Sequence, residues 1–268
     1  MSDPTPPDLA RALAASAARR GRFGDPLYFF AETGSTNDVA ERLAEHGAPE
    51  GATVVASAQT AGRGRFGRTW FSPAGAGLYV SIVCRNRSAA PLLTLAGGVA
   101  VADGIRAATG LPVQIKWPND IVVADRGPSR RRKLAGILAE ATTGSDGLQY
   151  VILGFGINLR PAAYPPELAD RATSIETELG RPADGGLVLA ETLAVLESVF
   201  NPLTTGHTRA VLARWRELAP SSRGTRVEWA SAGGTLGGMS EGIAEDGALL
   251  VRVGDRVERI ISGELRWL

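Results

Sequence analysis

Five short segments concentrate the side chains that can handle anions and carbonyl groups. "GRGRFGR" (62–68) sets Arg63, Arg65 and Arg68 on a frame of Gly62, Gly64 and Gly67. "KWPND" (116–120) holds Lys116, Asn119 and Asp120 around a rigid Pro118. "KLAGIL" (133–138) begins with Lys133 and keeps Ala135 and Gly136 small, "GFGINL" (154–159) runs through glycines to Asn158, and "GSTN" (34–37) supplies Ser35, Thr36 and Asn37. Guanidinium forks and ammonium groups neutralise and orient phosphate or carboxylate oxygens, so the chemistry on offer is the handling of an anion. Of the 29 basic residues only Lys116 and Lys133 are lysines, and both fall inside these clusters.

The arginine segment also satisfies G-x-G-x-x-G. A dinucleotide site of that type needs a strand, the glycine turn and then a helix that meets the pyrophosphate. "ATVVASAQT" supplies the strand, but "RTWFSPAGAG" follows with proline and glycines, so the helix is missing. No Gly-Lys-Ser/Thr exists for a P-loop. Arg63, Arg65 and Arg68 interleaved with Phe66 and Trp70 suit either a small anionic ligand or a polynucleotide. The strand-end clusters shift the balance, because small and aliphatic residues with a few polar anchors fit an enclosed pocket.

The elements that must position these groups read as a mixed α/β domain followed by a small all-β module. With 268 residues the chain can bury a large core, and a formal charge of +1 argues against a chain-wide polyanion surface. The single cysteine, Cys84, lies in the strand pattern "YVSIVCRN"; it forms no internal disulfide and fits a reducing cytoplasm. The N-terminus lacks a basic start with an apolar run, so no membrane role is expected. Residues 1–24 read as a Pro-rich tail with one short Ala-rich helix, 25–219 as the main domain and 220–268 as a small closed barrel of five strands. Ser35 is placed to cap the helix "TNDVAERLAEHG".

Taken in order, "GSTN", "QTAGRGRFGRTWFSP" (59–73), "KWPNDI", "KLAGIL" and "GFGINL" resemble the catalytic domain of biotin protein ligases. The likeness covers about residues 27–200, and the tail resembles the SH3-like C-terminal domain of the same family. It implies a mixed-sheet, class II synthetase-like fold and a two-step reaction. Biotin is activated by ATP as biotinoyl-5′-AMP and then passed to a lysine of a biotin carboxyl carrier domain of acetyl-CoA carboxylase or a related carboxylase.

The resemblance makes Lys133, Arg63 and Asp120 the catalytic candidates, with Lys133 an electrostatic clamp. It assigns Ser35, Thr36, Asn37, Gln59, Gly62, Arg63, Gly64, Arg65, Lys133 and Gly136 to biotin. Arg63, Arg65, Arg68, Trp70, Lys116, Asn119, Lys133 and Asn158 go to ATP and the adenylate, with Asp120 beside Mg2+ or the incoming lysine. The loop "GRGRF" is expected to order on ligand. The chain has no room for an N-terminal DNA-binding domain, so no operator binding is expected, and a monomer or a ligand-dependent homodimer is. The rival readings are a lipoate or octanoate ligase of the same fold and a non-enzymatic nucleic-acid-binding protein. "RGPSRRR" (126–132) is more basic than the likeness requires and reads as a solvated turn, a carrier-docking surface or support for ATP.

Overall fold

The structure, a computed structural model, describes residues 2–124, 131–231, 234–263 and 265–268. Most of the basic 126–132 stretch lies outside them. A seven-stranded sheet is built from β1 (Leu27–Phe30), β2 (Thr53–Ala56), β3 (Gly77–Cys84), β4 (Val113–Lys116), β5 (Asp120–Ala124), β6 (Arg131–Gly144) and β7 (Gly147–Asn158). Its order is β1-β2-β3-β7-β6-β5-β4. Only β1 and β2 run parallel; the other neighbours are antiparallel.

Side-chain alternation along the strands sorts the two faces. Val55, Ile82, Val151, Leu153, Phe155 and Ile157 enter the main core. There α3 (Leu93–Thr109) lies on the sheet, α6 (Gly185–Thr204) packs on α3, and α1 (Pro7–Arg20) packs on α6. Leu9 and Leu13 of α1 are buried in that same core. The helices Ala90–Thr109 and Gly185–Thr204 are long and apolar enough to cross a membrane, but their apolar faces are spent on this interior. Residues of opposite parity, Val54, Val83 and Ile152, meet α2 (Thr36–Glu45) on the other face. That face carries the site.

The remaining helices are α4 (Pro166–Ala169), α5 (Ile175–Leu179) and α7 (Arg209–Leu218). After α7, β8 (Arg223–Ser231), β9 (Gly234–Ile243), β10 (Leu249–Val253), β11 (Arg256–Ile260) and β12 (Leu265–Trp267) form an antiparallel sheet in the order β11-β10-β9-β8-β12. Hydrogen bonds tie it to the main domain. The indole Nε1 of buried Trp117 donates to the Gly247 carbonyl at 3.0 Å, and Arg216 donates to the Ile243 carbonyl at 3.1 Å.

Candidate active site

The glycines of the strand-end motifs act by removing side chains from one row of the sheet. Tyr79, Gly156, Gly136, Asp120 and Lys116 are successive cross-strand partners on β3, β7, β6, β5 and β4. The indole of Trp70 lies in the space that Gly156 and Gly136 leave open. A Cβ on Gly156 would overlap Trp70 Nε1, and one on Gly136 would stand 3.0 Å from Trp70 Cζ3. In the next row Ser81 pairs with Gly154, and Gly154 gives room to the Asn37 side chain.

A bulge re-aims the key lysine. On β6 the register with β5 slips between Ile121↔Ala135 and Val122↔Lys133. Strict alternation from Ala135, a core residue, would send Lys133 into the same core; the slip turns it to the Gly136 face. There its Nζ pairs with Asp120 Oδ1 at 2.5 Å and lies 5.0 Å from the Trp70 ring centroid. Its backbone N–H donates to the Arg171 carbonyl at 2.7 Å, which draws the segment after β7 over the cavity.

The cavity holds about 340 Å³. Every side chain assigned to ligand from the sequence lines it except Gly62, from Ser35, Thr36, Asn37 and Gln59 to Lys133, Gly136 and Asn158. Gly62 instead closes the loop base, where a Cβ would crowd the Trp70 carbonyl and Ser72 Oγ. Ser35 occupies the N-cap of α2, but its side chain makes no capping bond. Gln59 reaches over from the end of the β2 segment, and its Oε1 accepts from Thr36 N at 2.8 Å. The cap therefore comes from a residue distant in sequence and ties the helix to the loop. Asn158 Nδ2 donates to the Thr173 carbonyl at 2.9 Å.

The arginine loop crosses the opening. A 3-10 turn, Arg65–Gly67, puts Phe66 at φ 57 with 64% of its surface exposed, a conformation that bulky residues rarely take. Arg63 is ion-paired with Asp38 and lies 3.4 Å from Glu140. Arg65 Nη1 donates to Asn119 Oδ1 at 3.3 Å; burial lowers its pKa, and the charge of Asp120 opposes that shift. Burial likewise lowers Lys116; Asp120 opposes, while Lys133, Arg131 and Arg171 add to the lowering.

Arg171, Tyr164, Leu168 and, from the C-terminal module, Leu265 also line the cavity and carry no sequence assignment, and Arg131, from the basic 126–132 stretch, joins them. No periodic pattern marks 159–174; its return beside Lys133 is a tertiary event. Among the described residues, Trp70 Nε1 and Arg131 Nη1 are buried without a hydrogen-bond partner. Several cations against one carboxylate among the described residues, with unsatisfied donors, fit a polyphosphate. Asp120 is the one carboxylate among the described lining residues, and among the described residues no cluster of three or more His, Cys, Asp or Glu exists. That donor set fits Mg2+ arriving with a nucleotide, since Mg2+ is usually held by one or two carboxylates plus phosphates.

One cavity is lined by Lys116, Lys133, Arg131 and Arg171 together with the polar Ser35, Thr36 and Asn37 and the arginine loop, a site suited to handling an anion. The Biotin/lipoate A/B protein ligase family matches residues 29–158, and the Biotin protein ligase C terminal domain matches 224–265. The Biotin--[acetyl-CoA-carboxylase] ligase of Mycobacterium tuberculosis is 34% identical, over 97% of this chain and 96% of its own. The Bifunctional ligase/repressor BirA of Bacillus subtilis is 35% identical, over 90% of this chain and 74% of its own. Among solved structures, the Biotin protein ligase from Aquifex aeolicus in complex with biotin and ATP superposes with a TM-score of 0.77 at 28% identity, covering 90% of this chain and 99% of its own. The chain belongs to the biotin/lipoate A/B protein ligase family, and its fold is that of the biotin protein ligases.

Proposed function

We propose that the chain activates biotin with ATP and transfers it to a lysine of a biotin carboxyl carrier domain, that of acetyl-CoA carboxylase or a related carboxylase. The observation that carries this reading is the meeting, in one cavity, of the polar floor Ser35–Asn37 with Lys116, Lys133 and Arg131. An octanoyl chain offers that floor no hydrogen-bonding group, which favours biotin over octanoate. Near-neutral total charge and an enclosed site disfavour a nucleic-acid binder.

In the first step a biotin carboxylate oxygen attacks the α-phosphorus of ATP. The bond from that phosphorus to the bridging oxygen breaks, and pyrophosphate leaves. In the second step a lysine ε-amine attacks the acyl carbon; the bond to the AMP oxygen breaks, AMP leaves, and the amine gives up a proton. Lys133 holds oxygens of the carboxylate and α-phosphate together, exchanging Asp120 for them. Arg131 and Lys116 take phosphate oxygens. Asp120, with Asn119 beside it, would hold Mg2+, which would neutralise charge on the phosphates. The loop 62–68 closes over the mixed anhydride and keeps water away. Cytoplasmic residence accords with the single buried Cys84. Repression is said of the Bacillus relative by its name and is not carried to this chain.

Exchange of labelled pyrophosphate into ATP tests the reading. It should depend on biotin and not on octanoate; exchange driven by octanoate alone would overturn the substrate assignment.

A further inference from the structure

Glu140 is absent from the cavity wall, yet one of its carboxylate oxygens touches both halves of the site. Oε2 accepts from Asn37 Nδ2 at 2.5 Å on the floor side and stands 3.4 Å from Arg63 Nη2 on the loop side. Asp38, the other partner of Arg63, meets only the loop side of this pair. We propose that Glu140 is a positioning residue that sets the donor and acceptor sense of the cavity floor and tethers the arginine loop over it through the same oxygen. The floor half rests on the biotin reading above.

Proton counting carries the floor half. A carboxylate only accepts, so Asn37 must present Nδ2 to Glu140 and Oδ1 to Ser81. Ser81 Oγ lies 2.5 Å from Asn37 Oδ1 and 2.8 Å from Thr36 Oγ1, but it has one proton, which the amide oxygen requires. The Thr36 hydroxyl proton then points to Ser81 Oγ or to Gln59 Oε1, the latter 3.0 Å away. Both hydroxyl protons are consumed inside the network. Thr36 therefore shows the cavity a lone pair, and the bound head group must bring N–H donors, as a ureido ring does. Removing Glu140 frees the Asn37 amide to turn and releases that constraint.

The test uses the full chain with Glu140→Ala, the near-isosteric Glu140→Gln, and Asp38→Asn, which loosens the loop arm alone. In ligand-free protein, trypsin cleavage at Arg63–Arg68 should quicken about two- to five-fold in all three, the range that exposed ion pairs support. With ligand, Glu140→Ala should raise the biotin KM roughly 10- to 100-fold, with kcat and the ATP KM little changed, as for loss of a charged hydrogen bond. Asp38→Asn should raise it less than about three-fold. Discrimination against biotin methylated on a ureido nitrogen should narrow in Glu140→Ala. Should that variant unfold, Glu140→Gln, expected to fall between the other two, carries the comparison. Unchanged biotin KM and unchanged cleavage in the Glu140 variants would overturn the proposal, as would an Asp38→Asn effect on KM equal to that of Glu140→Ala. Biotin dependence in the unsubstituted protein is measured first, so failure of the substrate reading shows there, while the cleavage comparison needs no ligand.

Discussion

Gly156→Ala is the sharpest steric probe of the site. The backbone of Gly156 has negative or extended φ, so alanine costs nothing there through conformation. The cost is contact. Its Cβ would overlap Trp70 Nε1 and stand 2.6 Å from Cε2, whereas carbon contacts settle near 3.5–4.0 Å. The indole must retreat by about 1 Å, and it forms the wall against which Lys133 is placed. Overpacking of this kind costs roughly 1–3 kcal/mol of stability, and a displacement of about 1 Å in a reacting geometry costs on the order of 10²-fold in rate. Gly136→Ala is the control. Its Cβ would meet Trp70 Cζ3 at 3.0 Å and the end of the Lys133 side chain at 3.1–3.2 Å, so a shift of a few tenths of an ångström relieves it. Biotin-dependent pyrophosphate exchange and thermal unfolding, measured side by side, should show Gly156→Ala losing about 10²-fold in kcat/KM and Gly136→Ala less than about ten-fold. Full activity in Gly156→Ala, or a larger loss in Gly136→Ala, would refute the placement of the indole.

Lys133→Ala should lose roughly 10²–10³ in adenylate formation while still binding biotin, as read by single-turnover pyrophosphate release; near-normal release would remove Lys133 from the clamp role. Burial lowers the Lys116 pKa, so the folded protein releases this proton at lower pH than the unfolded chain. Between the two values the unfolded state binds more protons, and stability therefore rises with pH across that window. An anionic nucleotide favours the protonated form, so ATP affinity should fall as pH climbs toward the ordinary lysine range, from a lower pH than an exposed lysine gives. Lys116→Met should erase that limb in a titration of ATP binding against pH.

Legibility in the sequence followed the range of the interactions. The late five-strand run was readable because alternation and turn residues are local signals. The motif residues were readable as a group because they cluster at a helix start, in the arginine loop and along the strands beside it, and the cavity gathers all but Gly62. The sense in which each is used depended on distant partners. Gln59, not Ser35, caps α2. Trp117 lines the cavity and also donates its indole N–H to the Gly247 carbonyl of the C-terminal module. The bulge opposite Val122 decides which way Lys133 points, and no pattern in "RRKLAGIL" marks it. Glu140 shares the parity of Gly136 and Leu138, so its face was readable in principle; its partners were not.

In the proposed reaction one cavity performs both half-reactions. Incubation of the protein with biotin, Mg-ATP and a purified carrier domain, followed by intact mass, tests it most directly. One biotinyl group on the carrier, lost when its acceptor lysine is replaced, is the predicted result. An unmodified carrier together with no biotin-dependent pyrophosphate exchange would contradict the account.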